Sequence, residues 1–195
     1  MAKWPNVPAC YGWLALDRRG RWRMRDEHAQ QHGLLGDVIR NATLKQFIDR
    51  NYTHDEHGAW YFQNGPQRVY VNLEAAPYVL FSDTHGTSWR THTGLEITRV
   101  DAVHLDDEGG FWWQTNVGIA SVCDRDLAMC ATHLRGGNGE PLEEDELLDR
   151  MTSAPHSLAL KLELLQTNHS LRLQPIVAAH TATRFGFVKR PVAPA

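Results

Sequence analysis

Three short stretches of this chain repeat one pattern. "LDRRGRW" (Leu16–Trp22) holds Asp17, Gly20 and Trp22. "HDEHGAW" (His54–Trp60) holds Asp55, Gly58 and Trp60, and "DEGGFWW" (Asp107–Trp113) holds Asp107, Gly110 and Trp112. Aspartate favours the first position of a type I turn, where its carboxylate accepts backbone N–H groups further along. Glycine three residues later takes positive φ and closes the turn with a bulge. The aromatic residue then lies early in the returning strand, where a large ring packs well on a pleated surface. Asp-x-x-Gly-x-Trp therefore predicts a β-hairpin tip with an aromatic anchor. The first aspartates, at 17, 55 and 107, are too unevenly spaced for a solenoid. The second and third copies agree further, as "DEHGAWYFQNG" and "DEGGFWWQTNVG", which reads as a duplicated structural motif. A Ca²⁺ loop is the functional alternative, but it needs several oxygen ligands at close intervals, and Arg18 and Arg19 bring positive charge instead.

Strand patterns dominate around these tips. "YGWLAL" (Tyr11–Leu16) leads into the first, and "RWRMR" returns from it. "AWYFQ" and "QRVYVNLE" flank Asn64-Gly65-Pro66, a turn sequence, and Val69, Val71 and Leu73 alternate with polar neighbours as in a strand with one buried face. "PYVLFS", "VDAVHL", "FWWQTN" and "GIASVC" are further strands, and "SDTHGTS" is a loop. "DEHAQQHG" reads as a loop or a short turn of helix. A helix is predicted over Ala42–Arg50, capped by Asn41 or Thr43, with Leu44, Phe47 and Ile48 on one face. A second is predicted over Glu143–Met151, after the break "RGGNGEP". Leu158–Leu165 alternates like a strand but has helical residue types, and "QTNHS" after it reads as a hairpin turn. The fold class expected is α+β: antiparallel β-hairpin units in repeated motifs with a few packing helices. Two subdomains are expected, residues 1–80 and 81–195.

The chain has 195 residues, 42% hydrophobic and 22% charged, enough to bury a core without staples. Its net charge of -3 gives no global attraction to nucleic acid or an anionic membrane, so nucleic acid is not an expected partner. No stretch approaches the roughly 20 apolar residues of a membrane span, and the N-terminus has no signal-peptide core. Cys10, Cys123 and Cys130 have no metal-type spacing, and an odd count suits a reducing, cytoplasmic setting.

The order "LDRRGRW", "IRNATLKQFIDRNY", "HDEHGAWYFQNGPQRVYVNLEAAPYV" resembles the bacterial domain-of-unknown-function family 1285 and its uncharacterised proteobacterial relatives. The strand "RVYVNLE" with Glu74 and Pro77, and "WQTNVG" at Trp113–Gly118, carry the likeness, which covers Leu14 to Cys130. The resemblance implies an α+β fold of repeated motifs and a suggested regulatory or signalling role. It brings no established activity, no cofactor and no catalytic residues.

Eleven histidines raise the question of a metal. His28 and His32 have the spacing of two ligands on one helical face, but "HExxH" is absent. His54, Asp55 and His57 form a second candidate set, and convergence with His85, His92 and His104 would make a metal-dependent hydrolase, the alternative function. No G-x-S-x-G motif and no P-loop is present. The first expectation is a non-enzymatic protein that binds a small ligand or a protein partner, a second copy included. Its candidate ligand-binding residues are Arg68, Tyr70, Glu74, His92, Trp113 and Asn116, which mix cationic, aromatic and amide groups in a cleft or sheet edge between repeats.

Overall fold

The computed structural model describes residues 7–164 and 167–194. Its backbone separates into two compact units, Met1–Pro77 with Ala182–Ala195, and Tyr78–Thr181. The tail from residue 182, grouped with the second subdomain on sequence grounds, returns to the first unit. The reason is backbone pairing: Leu73 N donates to Lys189 O (2.8 Å) and Val188 N to Gly58 O (2.9 Å).

The first unit contains β1 (Cys10–Leu16), β2 (Trp22–Met24), α1 (Glu27–Gln31), β3 (Asp37–Val38), α2 (Ala42–Arg50), β4 (Tyr52–His54), β5 (Trp60–Asn64) and β6 (Gln67–Leu73). The second contains β7 (Tyr78–Ser82), β8 (Trp89–Thr91), β9 (Val100–Asp106), β10 (Phe111–Thr115), β11 (Gly118–Val122), α3 (Leu127–Thr132), β12 (Leu134–Gly136), α4 (Glu144–Ser153), β13 (Leu158–Leu164) and β14 (Thr167–Ile176). A short α5 (Thr181–Phe185) precedes the tail. The fold class is α+β. Residues 158–164 form a strand, while Leu165 and Gln166, part of the expected strand end and turn, lie outside the described residues.

Two sheets carry the fold. The first has order β3-β2-β1-β6-β5-β4 and the second β12-β13-β14-β9-β10-β11-β7-β8. One arrangement recurs within both. An opening hairpin (β1–β2, β7–β8) is followed by a second hairpin (β4–β5, β9–β10) and a closing strand (β6, β11) that pairs parallel with the opening one. The sheets are thus mixed: antiparallel hairpins are joined by the parallel pairs β1·β6, β7·β11 and β9·β14. Residue alternation gives the period of a strand but not its neighbour, so only the hairpins were open to sequence reading.

Apolar strand residues fill the cores, often several in a row rather than alternately. Leu14, Leu16, Val71 and Leu73 are buried in the first unit, and Val79, Leu80, Val103, Phe111, Trp113 and Leu173 in the second. Burying a ring the size of Trp113 stabilises by roughly 3 kcal/mol. Asn41 caps α2, its Oδ1 accepting from Leu44 N at 2.9 Å, and Ile48 on the apolar face is buried.

The repeated phrase is a hairpin tip, and the described residues hold four of them. Asp17, Asp55, Asp83 and Asp106 each accept the N–H of a glycine three residues on through the backbone carbonyl, at 2.9, 3.2, 3.3 and 3.1 Å. Each also accepts, through Oδ1, the N–H groups two and four residues on. Gly20, Gly58, Gly86 and Gly109 all have φ between 68° and 84°. Two corrections follow. The third tip is gripped by Asp106 and turned by Gly109, one residue before the expected Asp107 and Gly110, with Phe111 as its first ring. The stretch "SDTHGTS", expected to be a plain loop, is the fourth tip, with its Trp89 six residues after Asp83 rather than five.

Asp17 shows how much charge such a tip collects. Its Oδ2 also accepts from Arg21 Nε and Arg23 Nε, both at 2.8 Å. Burial by itself raises this carboxyl, but hydrogen bonds from the Arg21 backbone and the Arg23 and Arg21 guanidinium groups outweigh it and hold it below the usual carboxylate range. A carboxylate depressed in the fold contributes stability that is complete above its unfolded value of about 4 and is lost as pH falls through the folded value. Asp17→Asn is therefore less stable than the parent at pH 7, and the gap closes on acidification toward pH ~3. Denaturant unfolding at several pH values measures this, and a gap independent of pH would show that ionisation of Asp17 is not its source.

Candidate functional site

A cavity with polar walls lies within the first unit. It is a cleft of about 710 Å³ lined by β1, β6, the α1–β3 connection and the C-terminal tail. Its polar lining comes from Tyr11, Arg25, Gln30, Asn72, Glu74, Lys189 and Arg190. Alternation on β6 sets Arg68, Tyr70, Asn72 and Glu74 on the face opposite Val69, Val71 and Leu73. Tyr11 stacks flat on Tyr70, ring centroids 4.5 Å apart and 6° from parallel, and so marks one end of this face.

Arg25, just beyond β2, is only 7% exposed. Its Nε donates to Leu34 O at 2.8 Å, Nη1 to Gly12 O at 2.9 Å and Nη2 to Ala29 O at 3.2 Å. The guanidinium thus holds β1, α1 and the loop after α1 against one another. Burial, and then the charge of Arg190, lower its pKa. Glu74 faces the first hairpin tip: Oε2 accepts from Arg18 N at 2.9 Å and Oε1 from Arg18 Nε at 3.1 Å. The Asn72 side chain is half-buried and makes no hydrogen bond among the described residues.

Of the residues singled out by sequence, Arg68 and Tyr70 come together. The Arg68 guanidinium lies 4.7 Å over the Tyr61 ring, and Tyr70 Oη donates to Asp55 Oδ2 at 3.0 Å. The Arg68 pKa is raised, first by its hydrogen bond with Tyr70, and that of Tyr70 is raised, first by burial. Glu74 lies on the same face of β6, at the cleft. The other three belong to the second unit and to different surroundings. Trp113 is fully buried against Trp89, at 4.5 Å. His92 Nδ1 accepts from Val79 N at 3.3 Å, beside β7. Asn116 Oδ1 accepts from Thr98 N at 3.0 Å and its Nδ2 donates to Glu96 O at 3.2 Å, so it staples a loop.

Among the described residues the histidines form no metal cluster. Among the described residues no group of three or more His, Cys, Asp or Glu side chains is gathered as a metal ion needs. Asp55 spends Oδ1 on His57 N and Ala59 N, His54 Nδ1 meets Asp55 O at 2.8 Å, and His57 faces solvent beside Glu56. His28 on α1 and His32 at its C-terminal cap touch ring to ring, centroids 4.2 Å apart, and His85 lies on the Asp83 tip. The metal-dependent hydrolase therefore has no assembled ligand set among these residues. Cys130 is buried, which pushes its thiol up to about 12, far from a nucleophilic thiolate.

A family profile described as "Protein of unknown function (DUF2946)" matches residues 1–192. The chain belongs to this family, DUF2944. No curated protein matches it. The DUF2944 chain is similar in structure to a DUF1285 family protein from Silicibacter pomeroyi DSS-3, with 11% identity over 86% of this chain and 84% of that one, and a TM-score of 0.50. A DUF1285 family protein from Shewanella baltica OS155 matches with 14% identity over 60% of this chain and 88% of that one, at a TM-score of 0.40. At such identities the first likeness speaks for the fold alone. The resemblance read from the sequence thus holds for this DUF2944 chain as a likeness of fold, under a different family profile. No helix among its described residues is long and apolar enough to cross a membrane.

Asn72, Lys189 and Arg190 were not singled out by sequence. Nothing local shows that residues near 190 pack beside β6.

Proposed function

We propose that this protein is a non-enzymatic small-ligand binder with a regulatory role, using the cleft of its first unit. The observation that carries this reading is the cleft itself. Its volume of about 710 Å³ suits a small molecule, and the Asn72 amide on its wall makes no hydrogen bond among the described residues. Both a rigid sheet face and the tail line it, so an occupant would touch β6 and Lys189 together and alter how firmly the tail is held. That coupling is the basis for a sensing role rather than turnover.

Native mass spectrometry of the protein isolated from cells, followed by a thermal-shift screen of metabolites, tests it. A bound small molecule, or a compound that raises Tm in the parent but not in Asn72→Trp, is the expected result, because the larger side chain fills the cleft. A bare chain mass together with no stabilising compound would end the small-ligand reading.

A further inference from the structure

We propose that the cleft of the first unit selects a small oxyanion with two or more negative charges, held between Arg25 and the adjacent cations Lys189 and Arg190. This rests on the small-ligand reading and names the chemical class of the ligand.

Charge accounting within the cleft leads there. A buried charge is normally matched by a counter-charge, because desolvating an ion costs several kcal/mol. The three described partners of Arg25 are all neutral backbone carbonyls. The nearby charge that acts on it is Arg190, of the same sign. The carboxylate in the lining, Glu74, has both oxygens engaged by Arg18 and is neutralised there. Lys189 and Arg190 make no ion pair among the described residues. Among the described residues, three cations therefore line one cleft with no carboxylate left to balance them. A fold that sets like charges around a cavity loses stability when empty and recovers it when an anion enters.

The geometry also says what sort of anion. Three of the five guanidinium N–H groups of Arg25 are used within the protein, which leaves two for an oxygen-bearing ligand. Guanidinium donors match phosphate and carboxylate oxygens, while ammonium groups such as Lys189 act as point charges. The Asn72 amide adds a neutral donor on the β6 wall.

Arg25 also holds three backbone segments together, so its removal risks unfolding the unit. The test uses the tail cations instead: Lys189→Glu with Arg190→Glu in the full chain, checked for an unchanged circular-dichroism spectrum. Parent and variant are titrated at constant ionic strength with pyrophosphate, citrate and neutral adenosine, by calorimetry. Saturable binding of pyrophosphate or citrate to the parent, weakened about tenfold or more in the variant, is the expected result. Preference between the two separates a phosphate site from a carboxylate site. Anion binding undiminished in the variant would overturn the proposal by placing the anion elsewhere. Binding of adenosine without either anion would overturn it too, while leaving the small-ligand reading standing. If none of the three binds, the oxyanion proposal falls, and the broader reading rests on the mass-spectrometric result.

Discussion

Asp106→Ala lowers the stability of the chain by about 4 kcal/mol, near the top of the range for a single residue. Asp106 is buried, and three donors depend on its carboxylate. Oδ1 accepts from Glu108 N at 3.0 Å and from Gly110 N at 2.6 Å. Oδ2 accepts from Trp112 Nε1 at 2.7 Å, with both partners buried. Alanine removes the buried bond from the indole N–H and loosens the turn that sets β9 against β10. Asp83 grips its own tip in the same way, but at the surface. Water replaces its bonds at little cost, so Asp83→Ala shows a clearly smaller loss. Denaturant unfolding of the two variants side by side measures the contrast. Equal losses would mean that the buried indole contributes nothing and that the turn geometry alone decides.

Gly58→Ala has an effect of similar size for another reason. Gly58 has φ 77°, and a Cβ there would lie 2.1 Å from Gly186 O and 3.2 Å from Phe187 Cα. Both contacts are backbone, so the tail must move away. Val188 N–Gly58 O and Leu73 N–Lys189 O are then lost with it. The expected cost is about 3 kcal/mol or more, with faster hydrogen exchange at the Leu73 and Val188 amides. Gly109 occupies the same turn position with φ 84°, but a Cβ there meets nothing within 4 Å. Gly109→Ala pays only the left-handed strain of about 1 kcal/mol. A Gly58→Ala protein as stable as Gly109→Ala, with both amides still protected, would show that the tail is not held at this tip.

What the sequence made legible was local. An aspartate, a glycine and an aromatic ring within six residues determine a hairpin tip by their own turn chemistry, so the tips at Asp17 and Asp55 were readable outright. The third slipped by one because Asp106-Asp107 and Gly109-Gly110 are both doubled, and only the backbone shows which member of each pair turns. The tip at Asp83 went unseen because its tryptophan comes one residue late. Asn41 and the spacing of Leu44, Phe47 and Ile48 gave α2 to the residue, whereas α3, with Leu127 and Cys130 in an apolar run, carried no distinct period. Parallel neighbours such as Leu14 and Val71 are set by tertiary packing, which no window of residues contains. The cleft was hidden for the same reason: Arg25, Asn72 and Arg190 become neighbours only through the parallel β1·β6 pair and the returning tail.

That return has a consequence for how the chain is made. Synthesis runs from the N-terminus, so every strand of Tyr78–Thr181 is made before residues 186–190 exist to pair with Gly58 and Leu73. The unit encoded second has all its strands in hand first. The unit encoded first waits with the edge of β6 open near Leu73, and its last contact closes a loop spanning residues 73 to 189. During translation it is therefore this earlier-born half that stands exposed to misfolding and to chaperones. A chain ending near residue 180, followed by a linker long enough to clear the ribosome, should contain a protease-resistant second unit and a first unit still open to cleavage.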